Sequence, residues 1–213
     1  SVNSPDNKIS IITDDTVPEE YQHLFDNIIP IPWGDLAGKT EWKIQNRWKI
    51  YHVSPYDQTI VMDTDMVILQ DISNWWNFLS NYELYFTTRV KTYRNDWITD
   101  TFYRKTFIEN DLPNLYSGLH YFEKSVFAQN FYEMLETVNK NWKYFYAEYA
   151  PKYSPSRASI DVSAAITCKI LDIESDITNQ KVPYPTFTHL KSQIQGWVTP
   201  KSSWRLCVGT YIT

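Results

Sequence analysis

Two aspartates in the first third of the chain have the residue type and spacing to do chemistry. Asp63 and Asp65 flank Thr64, and apolar residues precede them at 60–62 and follow them at 66–69. Residues two apart in an extended segment point the same way, and burying a bare carboxylate costs several kcal/mol. A hard divalent cation removes that cost, and carboxylate oxygens suit Mg²⁺ or Mn²⁺. The pair predicts a metal site; the alternative is a solvated turn between two strands.

His189 is the candidate for a third ligand, because imidazole commonly joins carboxylates around Mn²⁺. The alternative is a hydrogen-bonded structural histidine. Lys191 and Gly196 follow it closely along the chain, and both residue types can approach a phosphate group. We therefore expect the end of the chain to return to the acidic pair.

Lys43 and Arg47 are four residues apart in a segment, 41–52, whose apolar spacing predicts a helix. At that spacing the two cations share one helix face. Arginine suits bidentate contacts with phosphate, so the two side chains are candidates for binding a diphosphate ahead of the acidic strand. The alternative is an ordinary solvated helix face.

Asp161 and the Ser117–Gly118 turn are the remaining candidates. A glycine lets a ligand approach the backbone closely, which is the expected role of Gly118. Asp161 lies in the first turn of a predicted helix that Ser159 caps. Its carboxylate either binds sugar hydroxyl groups or interacts with the helix dipole, which favours an anion at that end.

Strand and helix patterns alternate along the chain and predict a single α/β domain over residues 1–213, with three layers and a mostly parallel sheet. The predicted strands are 8–13, 28–31, the two apolar runs around the acidic pair, 82–90 and 119–122; the predicted helices are 41–52, the segment after Ser73, the segment after Ser125, and 159–171. The acidic pair lies at the carboxyl end of a strand, where open α/β sheets bind ligands.

Composition limits the partners. The net charge is −5 and the 20 Lys and Arg residues are scattered, which argues against a nucleic-acid partner. No apolar run approaches the ~20 residues that cross a bilayer, so no membrane span is expected. The two cysteines, Cys168 and Cys207, form no metal-binding pattern, and free thiols predict a reducing, cytoplasmic location. Nothing in the sequence indicates the oligomeric state.

The segment TIVMDTDMVILQDISNW, residues 59–75, resembles the DxD region of the GT-A-fold glycosyltransferases, in the glycogenin and galactosyltransferase-like group. Three other segments resemble the group's motifs in the correct order: YSGL at 116–119, SID at 159–161, and the stretch from 188 to 197. Tyr116 and Ser159 depart from the group's usual Asn and Asp. Residues 8–14 resemble the group's second strand, which implies that a first strand and helix precede residue 1.

The resemblance implies an α/β/α GT-A fold, Rossmann-like, with a mixed, mostly parallel sheet. It also implies transfer of a sugar, with retention, from a nucleotide-diphosphate sugar, UDP-sugar favoured, to a hydroxyl acceptor. The implied roles are metal ligation of Mn²⁺ or Mg²⁺ by Asp63, Asp65 and His189; donor binding by Lys43, Arg47, Thr64, Ser117, Gly118, Lys191 and Gly196; and catalysis by Asp161.

Two other functions fit the same residues. The altered motifs favour a non-catalytic module that binds glycan or protein on a degenerate transferase fold. A metal-dependent phosphoesterase would also use an acidic pair with a histidine, although such enzymes usually place more His and Asp at strand ends than this chain, with four His, offers.

Overall fold

A computed structural model of the chain describes residues 7–34, 43–64, 66, 68–92, 96–98, 104–179 and 185–189. Within them the chain is mixed α/β with small sheets. The strands are β1 (Ser10–Thr13), β2 (Asn27–Pro30), β3 (Gln58–Met62), β4 (Leu84–Thr87), β5 (Lys91–Thr92), β6 (Tyr116–Glu123) and β7 (Thr188–His189). The helices are α1 (Glu19–Gln22), α2 (Ile50–Val53), α3 (Asn74–Leu79), α4 (Lys105–Glu109), α5 (Val126–Lys140), α6 (Trp142–Tyr149), α7 (Ile160–Leu171) and α8 (Glu174–Ile177), with a 3₁₀ helix at Lys43–Lys49.

The strand that precedes Asp63 belongs to a three-stranded sheet with the order β3–β6–β4. β6 runs antiparallel to both of its neighbours, so β3 and β4 run parallel to each other. Met62 pairs with Leu119 and Thr87 pairs with Tyr116. The carboxyl ends of β3 and β4 therefore lie at the same sheet edge as the beginning of β6. The other two sheets are the parallel pairs β1–β2 and β5–β7.

Each face of this sheet packs against helices because side chains alternate along β6. Phe122 faces a core formed with α5 and α7, in which Phe131 and Leu135 meet small residues of α7 such as Ala164. Leu119 and Tyr121 face the opposite way and pack with Trp75 and Leu79 of α3. Helices thus cover both faces of the sheet that carries the candidate site.

The described structure differs from the sequence-based expectation at this sheet. The expected sheet is mostly parallel, whereas in the three-stranded sheet β6 lies between β3 and β4 and pairs antiparallel with both. The second apolar run forms no strand in its described residues 66, 68 and 69. The amide of Met66 donates to the carbonyl of Asp63, and this turn redirects the chain. The expected turn at Ser117–Gly118 is the beginning of β6.

The helices predicted after Ser125 and Ser159 are confirmed as α5 and α7. The Ser125 side chain accepts a hydrogen bond from the amide of Ala128 at 3.1 Å, as a helix N-cap should. Cys168 is a free, buried thiol on α7, as expected. Among the residues that the structure describes, no helix is both long enough and apolar enough to span a membrane.

Replacing Ser125 with Ala should remove this cap and lower the free energy of unfolding by about 1 kcal/mol. Ser125→Asp, which keeps an acceptor oxygen, is the matched control and should retain most of the stability. Urea unfolding followed by circular dichroism measures the difference. Equal stability of Ser125→Ala and the wild type would show that the cap contributes nothing.

Candidate functional site

Asp63 lies at the sheet edge, immediately after β3. Its amide donates to the carbonyl of Gly118 at 3.0 Å, so the main chain continues the ladder by one step. A Cβ added at Gly118 would lie 2.7 Å from Oδ2 of Asp63, which is closer than a real Cβ contact allows. Glycine at this position therefore leaves the space in which the Asp63 carboxylate lies.

The 3₁₀ helix places Arg47 beside that carboxylate. Nη2 of Arg47 donates to Oδ1 of Asp63 in an ion pair, and Nη1 donates to Oγ of Ser117 at 3.5 Å. The Asp63 side chain is 35% exposed and that of Arg47 is 16% exposed, so solvent reaches the pair. A cation of the chain itself thus neutralises the aspartate that the sequence predicts as a metal ligand.

Asp161 in the first turn of α7 holds the beginning of β6. Its Oδ1 accepts from the Ser117 amide at 2.9 Å and from the Ser117 hydroxyl. Its Oδ2 accepts from Nη2 of Arg104 at 2.7 Å. Both carboxylate oxygens are therefore already hydrogen-bonded within the chain, and the side chain is 15% exposed.

Arg104, just before α4, was not predicted as a site residue. Its side chain is 4% exposed, and Nη1 donates to the carbonyl of Leu115 at 2.8 Å. The guanidinium lies over the ring of Tyr116, 3.4 Å from the centroid, where a cation–π interaction is favourable. The sequence offers little signal for it, because Arg104 falls in a segment, 91–116, whose pattern assigns no element.

His120 is a second residue that sequence reasoning missed. It is buried, with Nδ1 2.7 Å from the Ser117 carbonyl and Nε2 2.8 Å from the Tyr132 hydroxyl. A carbonyl only accepts, so Nδ1 carries the proton and Nε2 accepts from Tyr132. Burial, helped by the nearby charge of Arg47, lowers the pKa of His120 to about 3. The imidazole is therefore neutral at physiological pH and holds the Ser117 carbonyl in place.

Five of the predicted residues contact one another at this edge, four of them through side-chain hydrogen bonds. Arg47, Asp63, Ser117 and Asp161 share hydrogen bonds, and Gly118 packs against Asp63. Thr64 follows Asp63 as an exposed turn residue. Acidic and basic groups alternate across the site, so each carboxylate has a guanidinium partner.

The structure does not describe the side chains of the remaining predicted residues. Asp65, Lys191 and Gly196 lie outside the described residues. The main chain of Lys43 belongs to the 3₁₀ helix, and that of His189 pairs with Thr92 in the β5–β7 sheet, but their side chains are not described. Within the part of the chain that the structure describes, no three His, Cys, Asp or Glu side chains group as a metal site.

Comparisons with known proteins give no relative for this chain. No protein-family model, no curated protein and no solved structure matches it.

Replacing Gly118 with Ala should displace the Asp63 carboxylate, because the new methyl group occupies its space. We expect a loss of less than about 1 kcal/mol in the free energy of unfolding, below the usual cost of overpacking in a core, because the displaced atom is the end of a side chain that solvent reaches. The double variant Gly118→Ala/Asp63→Ala removes the clashing oxygen and should be more stable than Gly118→Ala alone. If chemical denaturation finds no such recovery, Gly118 and Asp63 are not in the contact described.

Replacing His120 with Asn should change how stability depends on pH. Because the pKa of His120 is lower in the folded protein than in the unfolded chain, the unfolded chain binds the extra proton below about pH 6.5. Wild-type stability should therefore fall as the pH drops from 6.5 towards 3, by up to about 1.4 kcal/mol per pH unit from this residue.

Urea unfolding at pH 7, 6 and 5 measures this slope. His120→Asn should flatten it, while the matched control His23→Asn, at an exposed position, should leave it as in the wild type. An unchanged slope in His120→Asn would mean that the imidazole is not held neutral by burial.

Proposed function

We propose that the chain is a metal-dependent glycosyltransferase of the GT-A type, a hexosyltransferase in the DxD group. It moves a sugar from a nucleotide-diphosphate sugar, UDP-sugar favoured, to a hydroxyl acceptor with retention of configuration. The proposal combines the resemblance of the sequence motifs with the geometry of the sheet edge.

One observation carries the proposal: segments that resemble separate motifs of the group meet in one hydrogen-bonded cluster. Asp63 comes from the DxD segment, Ser117 from the YSGL segment and Asp161 from the SID segment, 44 residues beyond Ser117. Arg47, which the resemblance places near the donor phosphates, donates to both Asp63 and Ser117. Unrelated stretches of sequence with chance motif matches would have no reason to converge in this way.

The architecture gives further support. The cluster lies beyond the carboxyl ends of β3 and β4, the end at which open α/β sheets bind ligands. Helices cover both faces of the sheet, as a three-layer α/β/α fold requires. The two parallel strands β3 and β4 separated by the antiparallel β6 agree with a mixed sheet of the GT-A type.

The exposure of Asp63 fits a role in metal binding. Its carboxylate is the most exposed of the four charged groups in the cluster, and among the described residues its Oδ2 accepts no hydrogen bond. Asp63 would hold Mn²⁺ or Mg²⁺ with Asp65 and His189. A bound cation of this kind stabilises the negative charge that develops on a departing diphosphate.

The other residues of the chain would bind and orient the donor. Arg47, with Lys43 and Lys191, supplies positive charge for the diphosphate, and arginine can form paired hydrogen bonds to phosphate oxygens. Thr64 and Gly196 supply backbone and hydroxyl contacts. Ser117 and Gly118 would contact the sugar ring. Hydrogen bonds that join Ser117 to Asp161 and His120 hold them in place.

A second candidate is a non-catalytic module that binds glycan or protein. The state of Asp161 favours it, because all of its hydrogen bonds described here are to Ser117 and Arg104, and a carboxylate so engaged is poorly placed to react with a sugar.

Isothermal titration calorimetry with UDP-glucose and UDP-galactose, with and without MnCl₂, tests the proposal. We expect binding that requires the metal, together with slow hydrolysis of the donor. Asp65→Ala should weaken that binding at least about 100-fold, because a divalent cation depends on its carboxylate ligands. The matched control is Asp57→Ala, an exposed aspartate six residues before Asp63, which should leave binding unchanged.

Three other results would contradict this proposal or support a different function. Metal-dependent binding that survives Asp65→Ala would overturn the assigned metal site. Binding of glycans without any nucleotide would support the non-catalytic module, and cleavage of simple phosphate esters would support a phosphoesterase.

A further inference from the structure

We infer that Arg104 and Asp161 form a positioning pair that fixes the guanidinium of Arg47 for an anionic ligand such as a diphosphate. This inference deepens the proposed function and rests on it for the nature of the ligand. It assigns Arg104 a role and moves Asp161 from catalysis to positioning.

Asp161 has little capacity left for a ligand. Ser117 donates to Oδ1 through its amide and its hydroxyl, and Arg104 donates to Oδ2. These donors come from the beginning of β6 and from the residue before α4, so Asp161 ties three separate segments together. Because its oxygens are already hydrogen-bonded, the Asp161 carboxylate acts on a ligand indirectly, by positioning Ser117.

The direction of the hydrogen bonds carries this constraint to Arg47. An ionised carboxylate only accepts, so the Ser117 hydroxyl must donate its proton to Asp161. The lone pairs of Oγ are then the acceptors that face Nη1 of Arg47, 3.5 Å away. Nη2 of the same guanidinium donates to Asp63. The planar group is thereby held at two points, and its orientation is set before any ligand arrives.

The burial of Arg104 indicates that its ion pair with Asp161 orients the carboxylate and adds little to the stability of the folded protein. Its side chain is 4% exposed and contacts the Leu115 carbonyl and the Tyr116 ring as well as Asp161. Buried ion pairs add little net stability compared with apolar packing, because removing both charges from water is costly. Here the pair fixes the orientation of the Asp161 carboxylate. The carboxylate in turn fixes the orientation of the Ser117 hydroxyl.

The test is calorimetric binding of potassium pyrophosphate, alone and with MgCl₂, and of UDP with MgCl₂. Arg104→Met and Ser117→Ala should each weaken pyrophosphate binding about tenfold, within the usual range of coupling between residues in one network. Arg47→Met should weaken it more. The deciding measurement is the double variant Arg104→Met/Arg47→Met, which should bind no more weakly than Arg47→Met, because Arg104 acts through Arg47.

Cys168→Ala is the control for lost stability. Cys168 is buried on α7, seven residues after Asp161, so its removal weakens the same helix without touching the pair. We expect it to lower the thermal midpoint and to leave the dissociation constant for pyrophosphate as in the wild type. Asp161→Asn keeps an oxygen for Ser117 but presents Arg104 with a donor, and it should weaken binding as Arg104→Met does.

The outcomes separate this inference from the proposed function. Unchanged pyrophosphate binding in Arg104→Met, or an equal additional loss in the Arg47→Met background, overturns the positioning role while the transferase assignment stands. Binding of pyrophosphate that depends on Arg104, without binding of UDP or UDP-sugars, supports the pair and contradicts the transferase. A wild-type chain that binds none of these ligands contradicts both.

Discussion

The need to neutralise two carboxylates at one sheet edge determines how this region is built. The side chains of Asp63 and Asp161 are both partly buried, and each is paired with a guanidinium. An unpaired carboxylate would be costly at Asp161, whose side chain is 15% exposed, and less costly at Asp63, which is 35% exposed and screened by solvent. Because Ser117 links the two pairs, a change at Arg104 reaches Arg47 through hydrogen bonds alone.

The features that local pattern determines were predictable from the sequence. An apolar run followed by Asp63 indicated a strand that ends at an acid, which β3 is, although only Val61 within it is buried; Ser125 ahead of a periodic apolar stripe indicated the beginning of α5. The sequence predicted that Gly118 lets a ligand approach the backbone, and that stays a prediction; the group that lies against Gly118 in the structure is the Asp63 carboxylate. Each of these predictions depends only on the types of residues that are close together in the sequence.

The features that the sequence did not reveal depend on contacts between distant segments. Arg104 reaches Asp161 across 57 residues, and its segment carries no regular periodicity. His120 bonds to a main-chain carbonyl, which leaves no mark on residue types. The antiparallel pairing of β6 with β3 and β4 was missed for the same reason, because it joins segments far apart in the sequence and the pattern within any one strand does not specify its neighbours.

That strand order explains why the site has a rigid side and an open side. Since β6 begins where β3 and β4 end, Ser117 is held on both sides of its peptide unit: Asp161 of α7 accepts from its amide, and His120 of β6, itself bonded to Tyr132 of α5, donates to its carbonyl. Asp63 and Arg47 lie on the outer side, where solvent reaches them. A ligand can therefore reach Arg47 and Asp63 from solvent while the Ser117 framework stays fixed. Preorganised donors on such a framework are what selective binding of an anion requires.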